Sequence, residues 1–94
     1  MTELEALIKE IHTLGQELAK FERKYGLLSD TFYTWYQSGE EPEDATWVQD
    51  FSLWAGTYQL KLRREQKYQQ LIAQALTRQR ASDLMRDTVL VGTA

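Results

Sequence analysis

Apolar residues recur through the first quarter of the chain at Leu4, Leu7, Ile11, Leu14, Leu18, Phe21 and Tyr25. The intervals alternate between three and four residues without a break, which is the seam of a heptad-spaced α-helix. Thr2 followed by Glu5 fits a capping box, and Gly26 stands where a left-handed terminating residue belongs. The spacing therefore predicts one helix over residues 3–25. Ser29 offers a new N-cap, and Phe32, Trp35 and Tyr36 repeat at helical spacing before Gly39, predicting a short aromatic helix over about 30–38. Past Gly39-Glu40-Glu41-Pro42-Glu43-Asp44, a third stripe runs through Trp47, Phe51, Trp54, Tyr58 and Leu62, then Glu65, Gln69, Ile72 and Leu76. It predicts a long helix from near residue 43 to about 80. Ser82 or Asp83 could cap a further turn carrying Leu84, Met85, Val89 and Leu90.

Two long helices joined by a short one imply an all-α antiparallel hairpin, completed by oligomerisation. One register aligns the seams: Tyr25 with Trp47, Phe21 with Phe51, Leu18 with Trp54, Leu14 with Tyr58, Ile11 with Leu62, Leu7 with Glu65 and Leu4 with Gln69. It also sets Gly15 level with Gly56, two helix-interior glycines whose expected use is room for Trp54 and Tyr58. At 1.5 Å per residue the first helix is roughly 35 Å long and the third nearly 60 Å, so the third overruns the first. Residues 1–76 are accordingly read as a hairpin domain and 77–94 as a basic and apolar extension that depends on a partner. Leu71, Ile72 and Leu76, with Leu84, Met85, Val89 and Leu90, find no intrachain cover in this arrangement. Fully burying one such side chain is worth roughly 1.5–3 kcal/mol, so a partner or oligomer interface is expected there. Leu53, Leu60 and Leu71 form a second seam on another face, with Arg64 and Lys67 between them.

Composition changes this picture little. Eleven aromatics, ten of them between residues 21 and 58, suit the filling of one hairpin. The absence of Cys removes disulfides, thiolate metal sites and cysteine nucleophiles. No apolar run approaches the ~20 residues of a membrane span, and the acidic start is no signal peptide, so a cytoplasmic protein is expected. Charge matters more. The formal net charge of −3 conceals 4 basic and 11 acidic groups in residues 1–60, a net of −7, against 7 basic and 3 acidic in residues 61–94, a net of +4.

Lys61, Arg63, Arg64, Lys67, Arg78 and Arg80 make the distal part of the third helix basic, with Arg86 beyond. They form no single stripe, which favours an acidic protein surface or solvent over nucleic acid. His12 has no second His or Cys near it and is expected to face solvent. Glu40, Glu41, Glu43 and Asp44 lack the alternating ligands and Gly of a calcium loop, and complement a helix N-terminus instead. Trp35, Tyr36, Trp47, Trp54 and Tyr58 can stack bases, but helical spacing assigns them to the core, leaving Tyr33 exposed. No phosphate loop, nucleophile set or helix–turn–helix pattern is present. The sequence argues against an enzyme, a metal site and a cofactor.

Lys20-Phe21-Glu22-Arg23-Lys24-Tyr25-Gly26-Leu27, then Ser29, Phe32-Tyr33, Gly39-Glu40, Asp50-Phe51, Trp54-Ala55 and Tyr58, resembles small helical antitoxin-like proteins of cyanobacteria and other bacteria, often encoded beside a small toxin. The resemblance covers residues 20–58. Where those proteins carry Gly-Glu-Leu-Gly-Asp in the connecting loop, this chain reads Gly39-Glu40-Glu41-Pro42-Glu43-Asp44. It implies a hairpin that self-associates and an extension that clamps a toxin. The residues alone imply a partner-binding helix, with a structural homo-oligomer or a nucleic-acid-binding regulator as alternatives.

Overall fold

The computed structural model describes residues 2–78, which form three helices and, among the described residues, no strand: α1 (Glu3–Tyr25), α2 (Ser29–Gln37) and α3 (Ala45–Arg78). α1 begins and ends as expected. Thr2 Oγ1 accepts the Glu5 N–H at 3.1 Å, and Gly26 takes a left-handed φ of 74° while its N–H bonds the Glu22 carbonyl at 2.8 Å. α1 and α3 run antiparallel, with α2 laid across the turn end, in a rod of 55 × 24 × 21 Å. The predicted all-α hairpin is the fold.

The core lies at that turn end. Leu18, Phe32, Phe51, Trp54 and Ala55 are buried, and Phe21, Tyr25, Tyr33, Tyr36 and Tyr58 pack around them. Phe32 stacks flat on Trp54, centroids 3.8 Å apart and planes within 2°. Phe21 and Tyr25 stack against Trp54 at 5.6 and 5.7 Å. Such ring pairs add about 0.5–1.5 kcal/mol each beyond area burial.

Ser29 does not cap α2. It is the first helical residue, and the cap comes from another helix: the Glu22 carboxylate accepts both the Ser29 N–H (2.9 Å) and its hydroxyl (2.7 Å). Ser29 Oγ in turn accepts the Trp54 indole N–H at 2.9 Å. One relay thus joins all three helices and satisfies the only polar atom of Trp54, the largest fully buried side chain among the described residues. α3 starts at Ala45, two residues later than expected, because Asp44 caps it by accepting the Thr46 N–H (2.8 Å) and hydroxyl (2.7 Å).

The register holds to within one turn at the aromatic end and then departs. Tyr25 meets Trp47 edge-on at 6.2 Å, as expected, but Phe21 stacks on Trp54, one turn beyond Phe51. Past Tyr58 the α3 seam steps by three residues rather than four. Lys61, Glu65 and Tyr68 turn toward α1 as half-buried side chains, whereas Leu62 is 39% exposed. The Ile11–Leu62 pairing is therefore wrong. Ile11 instead shares a groove with Glu65, Tyr68 and Gln69.

The reading of the glycines and of Tyr33 also needs correction. A methyl group at Gly56 would meet nothing within 4 Å, so Gly56 makes no room for Trp54 or Tyr58. Gly15 faces the Lys61 stem, whose Cε would lie 3.9 Å from an added Cβ. Tyr33 is half-buried, 5.1 Å from the Tyr58 ring, with its hydroxyl accepting from Gln59.

Candidate partner interface

The first element of the site is the overrun of α3. Glu3, at the start of α1, reaches Lys67 at 3.4 Å, and α3 continues through Arg78, about 16 Å further. Along this stretch Leu71, Ile72 and Ala75 are half-buried and Leu76 is 43% exposed. α1 has ended before it can cover them. Leu84, Met85, Val89, Leu90 and Arg80 lie outside the described residues.

The second element is the α3 face turned away from α1. Leu53 is 57% exposed, Leu60 is half-buried, and Gly56 between them opens onto solvent. At 100° per residue, Leu53, Gly56, Leu60 and Leu71 share one side of the helix.

The expected basic surface is largely compensated. Lys61 Nζ bonds Glu65 at 3.1 Å, and Lys67 pairs with Glu3. Arg64 Nε lies 2.9 Å from Glu10 Oε1, close enough for an ion pair though not aligned as a hydrogen bond. Such partly exposed pairs are worth about 0–1 kcal/mol, but the two that link helices, Arg64–Glu10 and Lys67–Glu3, clamp α1 onto α3 where apolar packing thins. Arg63 is exposed and joins no ion pair among the described residues. Arg78 is the last residue of α3. This weakens the case for phosphate binding, which draws on uncompensated cations.

A further surface escaped the periodicity. A groove of about 430 Å³ opens at the turn end, floored by Leu27, Trp35, Trp47 and Phe51. Trp35 and Trp47 are 36% and 41% exposed, although the spacing assigned both to the core. Glu40, Glu41 and Glu43 rim the groove, and none joins an ion pair among the described residues. Their position could have signalled it: Trp47 occupies the first turn of α3, opposite the last residue of α1, where little chain is left to cover it. His12 is exposed, as expected, beside the groove shared by Ile8, Ile11 and Tyr68. Among the described residues no group of three or more His, Cys, Asp or Glu could hold a metal ion, and no helix is long and apolar enough to cross a membrane.

The fold and its exposed faces define a small all-α helical hairpin with an overrunning third helix. Compared with known protein families, with curated proteins and with solved structures, the chain matches none.

Proposed function

We propose that this protein is a cytoplasmic, non-catalytic interaction module, antitoxin-like, that binds and neutralises a partner protein through the distal part of α3 and the residues after it. The supporting observation is the overrun: α3 passes the end of α1 by about 16 Å and carries Leu71, Ile72 and Leu76 beyond its cover. An amphipathic helix of this kind fits a groove on a partner, anchored at helical spacing. The resemblance over residues 20–58 supports an antitoxin-like role, with the product of an adjacent reading frame as the partner.

The test is co-expression with that product. Growth arrest relieved by the intact chain, but not by a chain with Leu71, Ile72 and Leu76 changed to Ser, supports the reading. Relief by both chains, or by neither, overturns it.

A second reading is self-association, favoured by Leu53, which is 57% exposed beside the open Gly56. Light scattering on the purified protein distinguishes the two, because self-association raises the mass with no other protein present.

A further inference from the structure

The two ends of the rod are chemically opposite. At the turn end, the groove offers Leu27, Trp35 and Trp47, with Val48 exposed nearby, inside a rim of Glu40, Glu41 and Glu43. Of the two cations in the last turn of α1, Lys24 is committed to Asp50 at 2.7 Å, and neither it nor Arg23 lines the groove. At the far end, α3 carries Leu76, which is exposed, and the half-buried Ile72 past the end of α1 and reaches Arg78, with Arg80 and Arg86 following in sequence. The groove therefore lacks a cation and an apolar cover, and the far end of α3 offers both. A cation held against an indole face gains from the ring quadrupole, and carboxylates at the rim add charge-assisted hydrogen bonds.

A single chain does not bring these ends together. Trp47 and Arg78 belong to one unbroken helix and lie about 46 Å apart along it. An antiparallel second copy places the Arg78 end of each chain beside the Trp47 end of the other, so both contacts form at once and the assembly closes. We infer that the Trp35–Trp47 groove is the docking site for the basic distal end of α3 from a second copy of this chain. This deepens the self-association reading above and rests on it. It also has a consequence for partner capture: the segment proposed to hold the partner is the one occupied in the self-assembled form, so partner and second copy compete for it.

The experiment uses full-length chains and reads mass by sedimentation against protein concentration and salt. Glu40→Lys/Glu41→Lys/Glu43→Lys reverses the groove rim, and Arg78→Glu/Arg80→Glu/Arg86→Glu reverses the helix end. All three rim residues are exposed, and far-UV circular dichroism verifies that both variants keep the helical fold. Each variant alone is expected to dissociate at least tenfold more readily than the parent chain. An equimolar mixture of the two regains the parent mass, because each mixed pair restores both opposite-charge contacts. The parent assembly also weakens as salt rises from 0.05 to about 0.5 M, where exposed charges are screened within a few Å. Parent self-association that neither variant disturbs overturns the groove assignment and leaves self-association by another face. A parent chain that stays monomeric at every concentration overturns both.

Discussion

The turn end and the open end of the hairpin are built from the same two helices, yet they are held by different physics. Around Phe32 and Trp54, both fully buried, aromatic rings from all three helices interlock, and the Glu22–Ser29–Trp54 relay satisfies the indole N–H. Beyond Tyr58, α1 keeps its apolar seam, but α3 answers it with Lys61, Glu65 and Tyr68. Leu7 is the one buried apolar side chain of that half among the described residues. Two ion pairs between the helices take over the alignment, Arg64–Glu10 and Lys67–Glu3, while Lys61 pairs with Glu65 within α3. Stability is thus concentrated at one end, and the other end opens at lower cost. This division suits a binding module, because the weakly covered end is the one proposed to engage a partner.

The sharpest challenge to this contrast is Trp54→Ala. It removes the flat stack on Phe32, both contacts from α1 rings, and the indole partner of Ser29. A loss of about 3–5 kcal/mol is expected, enough to unfold much of a domain this small. Thermal melting followed by circular dichroism measures it. A loss below about 1 kcal/mol, the level of an ordinary surface substitution, would mean that the turn end is not the core.

Leu7→Ala probes the other end. Its expected cost is about 2 kcal/mol, the low end for buried leucines, because the surrounding half-open seam can collapse onto the gap. The effect should also be local. Hydrogen exchange would accelerate over the first half of α1 while amides near Trp54 keep their protection. Equal acceleration at both ends would show one cooperative core in place of two unequal regions.

Ser29→Ala cuts the relay without touching the ring stack. It leaves the Trp54 N–H without its acceptor, while Glu22 Oε2 keeps the backbone N–H of residue 29, at about 1–3 kcal/mol for a buried group left unsatisfied. Ser29→Thr keeps the hydroxyl and recovers most of the loss if the relay is the cause. Gly56→Ala changes stability in the opposite direction. Its added methyl group meets nothing within 4 Å, so the helix gains up to ~1 kcal/mol from propensity alone. A destabilised Gly56→Ala would place an unseen contact on that face of α3.

How far these regions could be read before the structure follows from the same contrast. The limits of α1 were readable to the residue because Thr2 and Gly26 are specific caps. Tyr25 and Trp47 could be paired because large rings leave few ways to fill a seam. The spacing failed after Tyr58. Leu62 is apolar and four residues on, while Lys61 is charged and three residues on, so hydrophobicity selected the wrong one. Packing instead continues the strict heptad through Lys61, Glu65 and Tyr68, which matches the unbroken heptad of α1. The Lys61 stem passes over Gly15, where even an added Cβ would meet its Cε only at an ordinary contact distance of 3.9 Å. Local patterns also could not show that Glu22 caps α2 from another helix, nor that Trp35 and Trp47 remain half open. Both depend on which elements meet in space.

The smallest effect concerns pH and is confined to the turn end. Asp50 is held below its ordinary value of 3.8, first by the hydrogen bond from Lys24 and then by that from Tyr25. Asp44 is likewise held low, by the Thr46 hydroxyl and N–H. Lys24 is raised above 10.5 by its hydrogen bond to Asp50, and Tyr25 above 10.0, chiefly by burial and then by its hydrogen bond to Asp50. For the two carboxylates the folded value is the lower one, so their contribution is present above 3.8 and fades as pH falls through the depressed folded values. For Lys24 and Tyr25 the folded value is the higher one. Their contribution is complete below about pH 10 and fades as pH rises through the raised values. The melting temperature should therefore form a plateau with an acid shoulder and an alkaline shoulder. Asp50→Asn should flatten part of both, because the same carboxylate partners Lys24 and Tyr25. Glu10→Gln, which touches only the open end, should leave the alkaline shoulder in place. If Glu10→Gln removes that shoulder instead, the ionic contribution belongs to the open end, and the electrostatic part of the contrast between the two ends fails.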